Sequence, residues 1–332
     1  MRTRTLLTAA LAAALLVPAA LAQAAPGQHL LPSAAAAYAD YQGEVSHIRS
    51  APIGGADELD KALNTFGAQN PDQLSSGWIA YSAMIAAQDK EFSSAVRDID
   101  GFYGRERVVS GMRNDVGYAR TLKGGEKALQ TALAVNSRDT SRISSAAAFV
   151  KDQAYKLQNI AWGKSRLKDA GGVATKLKVS SKAVRPIADA AQKFFAAPDL
   201  TATLASATTT PADNSSIWDK FSLITASAPA SVLTAVAPSV AAPQALKVDP
   251  KREGTANRIV TLAAFHVLEA EKSNTADVQA AMKDKTTFDC IDWSQLQLQA
   301  CVSAAYTRAD LSFCLAEHAI GQAGACFSSV AR

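Results

Sequence analysis

The chain has 332 residues, 48% of them hydrophobic and 7% aromatic, which is enough to bury a substantial core as one large or two ordinary domains. Alanine is abundant and alternating β-branched residues are scarce, so helix is the expected secondary structure. With 34 basic and 30 acidic residues the net charge is +4, which is too small to indicate a polyanionic partner by itself.

The N-terminal residues predict a signal peptide, residues 1–24. Arg2 and Arg4 precede an apolar run over 6–17, and small residues follow around Ala22, so we predict cleavage before Ala25. The apolar run is shorter than the ~20 residues that a spanning helix needs, and no cysteine follows it for lipid attachment. We therefore expect a periplasmic or secreted protein of a Gram-negative bacterium, with no transmembrane segment in the mature chain.

Residues 25–196 predict a helical bundle domain. One apolar stripe predicts a single long helix that starts near Pro71 and Asp72, and its members are separated by three, four or seven residues. They are Leu74, Trp78, Tyr81, Ile85, Phe92, Val96 and Ile99. A second stripe runs from Ile143 to Ala161 and predicts a helix that begins near Asp139 or Ser141. Heptad-like spacing also occurs in coiled coils, so a self-assembling helical scaffold is an alternative.

Residues 197–254 are rich in alanine, proline, serine and threonine, and they predict a connection rather than a domain. One short amphipathic helix interrupts this connection and is expected to dock on the bundle. Its apolar residues are Ile217, Trp218, Phe221, Leu223 and Ile224. Helical sequence resumes at about Thr255, and residues 255–332 form the predicted C-terminal helical region.

All four cysteines lie in this C-terminal region, at Cys290, Cys301, Cys314 and Cys326. Cys290 and Cys301 are three helical turns apart, so they face one side of a helix but are too distant to bond to each other. In an antiparallel hairpin, facing residues have a constant index sum, and the pairs Cys290–Cys326 and Cys301–Cys314 meet this condition. We predict these two nested disulfides, with a turn at 307–310. A zinc site and free catalytic thiols are the alternatives, although the close pairs typical of both are absent.

Residues for catalysis are few. His266 lies on the apolar stripe of a predicted helix with Glu269 three residues later, so a hydrogen-bonded pair could act as acid and base or as half of a metal site. A histidine in such a position is more commonly a satisfied core residue. No nucleophile-elbow, zinc-protease, P-loop or dinucleotide motif is present, and we predict no cofactor and no metal.

Charge is segregated along the chain. Residues 25–100 carry ten acidic and four basic side chains, whereas residues 101–200 carry eighteen basic and eight acidic ones. The basic middle predicts an anion-binding helical face. Its candidate residues are Lys164, Arg166, Lys168, Lys176, Lys178, Lys182 and Arg185. The alternative is that these side chains are ordinary exposed lysines and arginines, or that the acidic segment packs against them.

These observations predict an all-α fold, a helical bundle with a C-terminal disulfide-stapled antiparallel helical hairpin. The function they favour is that of an exported non-catalytic envelope protein with a structural or partner-binding role. Its partner would be an anionic envelope component or another envelope protein, and no motif favours nucleic acid. The alternatives are the helical scaffold and a periplasmic hydrolase that uses His266 and Glu269 in a cleft between helices.

Overall fold

The computed structural model describes residues 30–209, 216–218 and 246–331, and these residues form helices and no strands. The first ten α-helices are α1 (Leu30–Ser50), α2 (Ala56–Gly67), α3 (Pro71–Ala86), α4 (Lys90–Tyr103), α5 (Arg105–Asn114), α6 (Tyr118–Thr121), α7 (Gly125–Leu157), α8 (Ala170–Ser180), α9 (Asp189–Phe195) and α10 (Leu200–Thr208). They are followed by α11 (Glu253–Val267), α12 (Thr275–Met282), α13 (Lys285–Ala304), α14 (Arg308–Cys314), a π-helix (Leu315–Gln322) and α15 (Ala323–Ser328). The predicted all-α fold is confirmed. The predicted signal peptide, residues 1–24, lies outside the described residues.

The centre of the bundle is formed by α1, α3, α7 and α11. Helices α1 and α3 approach closely at Gly77, where a Cβ atom would lie 2.8 Å from the carbonyl oxygen of Ala34. A cluster of aromatic rings fills the space between the helices. Phe327 of α15 belongs to this cluster, with its ring centroid 5.4 Å from that of Tyr38 and 5.5 Å from that of Trp78. The C-terminal region is therefore part of the same hydrophobic core as the N-terminal helices.

The boundaries of two helices differ from the predictions. The predicted helix over 74–99 is two helices, because Asp89 leaves the helical conformation and caps α4 by accepting the N–H of Phe92 at 2.9 Å. The predicted start near 139–141 is also wrong, since α7 begins at Gly125 and is 33 residues long. Asp139 therefore lies in the middle of a helix, at a buried position.

The C-terminal hairpin has the predicted pairing of cysteines. Cys290–Cys326, the outer bridge, joins Cα atoms 5.6 Å apart, and Cys301–Cys314, the inner bridge, joins Cα atoms 5.7 Å apart. The first arm is α13, and the second consists of α14, the π-helix and α15. Thr307 caps α14, and Asp310 completes a capping box by accepting the Thr307 N–H at 2.8 Å.

The predicted connection, residues 197–254, contains α10 and one docked segment. Ile217 is 7% exposed and Trp218 is fully buried, so residues 216–218 dock on the core. The Trp218 ring lies 5.1 Å from Tyr81 and 5.7 Å from Tyr38. Residues 221–224 of the predicted amphipathic helix lie outside the described residues.

Candidate functional site

Residues 158–185, which we call the basic segment, follow α7. This segment is hydrogen-bonded to the turn of the disulfide hairpin. The chain bends at Gly163, where a Cβ atom would lie 2.1 Å from the carbonyl oxygen of Leu157, so only glycine fits. The carbonyl of Gly163 accepts the N–H of Ala309 at 3.0 Å, and the N–H of Leu167 donates to the carbonyl of Tyr306 at 3.0 Å. This part of the segment is thus held beside the turn that the inner bridge closes.

Helix α8 continues the segment and packs across α13. Asp169 begins the helix by accepting the N–H of Gly172 at 2.7 Å. Leu177 points into the core and is 1% exposed. At the end of the helix, Ser181 accepts a hydrogen bond from Gln299 of α13 at 3.4 Å. One side of α8 is therefore buried, and its other side is available to carry charged residues.

Six of the seven predicted anion-binding residues are exposed, and we refer to these six together as the basic face. They are Lys164, Arg166, Lys168, Lys176, Lys178 and Lys182. The guanidinium of Arg166 lies 4.7 Å from the centroid of the Tyr306 ring, a cation–π contact that holds it in place. Within the described part of the chain, no carboxylate lies within ion-pair distance of any of the six cations. Asp169 is the one acidic residue in 158–185, and its carboxylate caps α8.

Acidic residues of the N-terminal region pair with other cations. The expectation that this region packs against the basic middle holds for Lys123 of the α6–α7 turn and for Lys127 of α7, whereas Asp60 pairs with Arg308 of the hairpin. The contacts are Lys123–Glu91 at 3.4 Å, Lys127–Asp89 at 3.5 Å and Arg308–Asp60 at 3.2 Å. The basic face itself has no such acidic neighbour among the residues that the structure describes.

Arg185, the seventh candidate, is tied into the fold. Its guanidinium donates to the carbonyl of Thr65 at 2.8 Å and lies 3.8 Å from the carboxylate of Asp40. Its backbone N–H donates to the side chain of Gln73 at 2.7 Å. Burial raises the pKa of Asp40, and the nearby guanidinium opposes this by favouring the ionised form. Because its polar groups already have partners, Arg185 is not part of the basic face.

The predicted pair of His266 and Glu269 does not form. Nδ1 of His266 lies 2.6 Å from the carboxylate of Glu271, whose other oxygen accepts the N–H of Leu31 at the start of α1. The reason is the backbone of Glu269, which has φ 53° and turns the chain back beyond the end of α11. Glu271 is 1% exposed, whereas Glu269 is exposed. No group of three or more potential metal ligands occurs in the ranges that are described.

A buried polar cluster around Asp139 was not predicted from the sequence. Its carboxylate accepts a hydrogen bond from the hydroxyl of Ser216 at 3.1 Å. Arg142 lies one turn further along α7 and donates to the side chain of Gln42 at 2.8 Å. Burial raises the pKa of Asp139 to about 6, although the Ser216 hydrogen bond and the nearby Arg142 act in the opposite direction. The one signal in the sequence is the position of Asp139, four residues before Ile143 and therefore on the helical face of the apolar stripe.

Comparison with known proteins identifies no function, because no family model, no curated protein and no solved structure matches the chain.

Proposed function

We propose that the protein is exported to the envelope of a Gram-negative bacterium, where it binds an anionic envelope component through the basic face and has no catalytic role. Two disulfides support the compartment, since disulfides form and persist in oxidising environments such as the periplasm and the cell exterior. The predicted signal peptide supports the same destination. None of the helices in the described ranges is long and apolar enough to cross a bilayer.

The observation that carries the proposal is that six exposed cations in one short segment have no acidic partner among the residues that the structure describes. Like charges concentrated in one segment repel one another, and an anionic ligand that binds there relieves this repulsion. The segment is fastened at Gly163, Leu167 and Ser181 to a hairpin that two disulfides hold together. A face on such a support is already ordered, so binding loses less conformational entropy.

A charge-neutralised variant tests the proposal. The face variant replaces the five lysines of the basic face by glutamine, and a control variant replaces five exposed lysines elsewhere that also lack a carboxylate partner among the described residues. The control positions are Lys90, Lys247, Lys251, Lys272 and Lys283. Both variants lose five positive charges, so a difference between them reports position rather than net charge.

The probes are dextran sulfate and vesicles that contain phosphatidylglycerol. We expect wild type and the control variant to bind at least one probe, with affinity that falls as salt shortens the Debye length from about 10 Å at 0.1 M to about 3 Å at 1 M. The face variant should bind far more weakly. Equal retention of the face variant and wild type on both probes would refute the proposal.

The two alternative functions have lost the features that suggested them. The scaffold requires exposed apolar stripes, but Trp78, Tyr81, Ile143 and Val150 are all fully buried in the chain's own core. A light-scattering mass remains its direct test. The hydrolase would have to use His266 with Glu271 instead of Glu269, and Glu271 already accepts a backbone N–H of α1.

A further inference from the structure

Exposed apolar side chains gather beside the basic face, at the end of α8 and in the residues that follow it. Val179 is 68% exposed and Val184 is 59% exposed, and Ala183 and Pro186 are exposed between and after them. We call these four residues the apolar corner. Lys178 and Lys182 of the basic face alternate with them in the chain, and residues 170–188 contain no acidic residue.

The geometry of α8 places Val179 of the apolar corner outward with lysines on both sides. Successive residues of a helix are about 100° apart, so Val179 points almost opposite to the buried Leu177. Lys176 and Lys178 then lie about 100° to either side of Leu177, on the two flanks of the helix. Lysine stems in such positions extend along an apolar surface while their ammonium groups reach beyond it.

Exposed hydrophobic residues are concentrated on the same part of the molecule. Nine large hydrophobic side chains are exposed in the described residues, and seven of them belong to residues 155–184 or to the hairpin on which this segment packs. The seven are Tyr155, Ile160, Val179, Val184, Trp293, Leu296 and Tyr306. Binding of a soluble polyanion uses the charges alone and leaves this apolar surface in water. A bilayer interface uses both, since apolar side chains enter the acyl boundary while lysines contact phosphates.

We infer that the anionic component recognised by the basic face is the surface of a lipid bilayer that contains anionic phospholipids, with Val179 and Val184 inserted into it. This inference rests on the proposed function, because the lysines supply the attraction that brings the corner to the membrane. The structure thus assigns two separable contributions, an electrostatic one from the basic face and an apolar one from the corner.

A corner variant, Val179→Ser with Val184→Ser, separates the two contributions. Sedimentation is measured with vesicles of phosphatidylcholine and phosphatidylglycerol, with vesicles of phosphatidylcholine alone, and in parallel with dextran sulfate. Each lysine at an anionic surface is worth about a fivefold change in partitioning, so the face variant should lose vesicle binding. The corner variant should bind anionic vesicles about three- to tenfold more weakly and dextran sulfate as wild type does.

The binding results distinguish the membrane inference from the proposed function. Anionic-vesicle binding by the corner variant at wild-type affinity would overturn the membrane inference and leave the proposed function intact. Binding of wild type to dextran sulfate but not to anionic vesicles would do the same. Failure of wild type to bind either probe would remove both ideas.

Insertion is tested independently by a fluorescent reporter at the corner. Val184→Trp should be quenched by lipids brominated on their acyl chains, beyond the quenching that wild type shows from its own tryptophans. The matched control is Phe102→Trp, because Phe102 is 80% exposed near the end of α4 and does not belong to the apolar corner. Greater quenching at Val184→Trp than at Phe102→Trp supports insertion, and equal quenching at the two positions contradicts it.

Discussion

Replacing Asp139 by asparagine should remove a pH-dependent cost of folding. Asp139 is 1% exposed, and burial raises its pKa from 3.8 in the unfolded chain to about 6. A carboxyl group with a raised pKa binds its proton more tightly in the folded state. The stability that this proton contributes is therefore present at low pH and is lost as the pH rises through about 6. A shift of about two pKa units corresponds to about 3 kcal/mol of unfolding free energy.

The measurement is urea unfolding of wild type and Asp139→Asn at about pH 4 and about pH 8, on either side of the titration. Between these two conditions, the difference in unfolding free energy should move by about 2 kcal/mol in favour of the variant, because part of the full effect is already lost at pH 4. Arg142 keeps its hydrogen bond to Gln42, so the variant should remain folded. Asp152→Asn is the control, because that side chain is 63% exposed and should not produce this change. Parallel pH dependence of wild type and Asp139→Asn would refute the reasoning.

Three further predictions concern stability. Alanine at both cysteines of the inner bridge should lower the unfolding free energy by about 3 kcal/mol, and at those of the outer bridge by about 4 kcal/mol, because the loops that they close span 13 and 36 residues. Denaturant unfolding measures the loss of unfolding free energy at each bridge. A larger loss at the inner bridge than at the outer one would contradict the loop-entropy argument. Trp218→Ala should cost about 3–5 kcal/mol as a buried aromatic truncation and should expose residues 216–218 to protease. Unchanged stability and unchanged cleavage would show that its docking contributes nothing. His266→Ala should cost about 1–3 kcal/mol, since buried Glu271 loses a hydrogen-bond partner, and an unchanged unfolding midpoint would contradict this role.

Local sequence patterns predicted a large part of the fold. The four cysteines were paired correctly because two antiparallel helices advance by a constant rise per residue, so the register follows from residue numbers alone. Pro71 begins α3 as predicted, since proline fits the first helical turn and Asn70 before it accepts backbone N–H groups. The predicted helix over 74–99 failed because the apolar stripe continues through a break that Asp89 makes.

The candidate sites show what local patterns do not contain. The partner of His266 depends on the left-handed backbone of Glu269, and helix periodicity carries no information about that conformation. Asp139 became a buried acid because α7 is longer than its apolar stripe indicated and because Trp218 packs over it from a remote segment. Both features depend on contacts that form only when distant elements come together.

The sequence by itself determined the helical class, the pairing of the cysteines and the position of the basic segment. Only the tertiary structure decided which cations have an acidic partner among the described residues and which do not. Arg308 pairs with Asp60, which lies 248 residues away in the chain. Arg185 contacts Asp40 and Thr65. The lysines around α8, in contrast, have no acidic partner among the described residues. The physical reason is that helical periodicity and charge composition are properties of neighbouring residues, while an ion pair depends on the distance between side chains that the folding of the whole chain brings together.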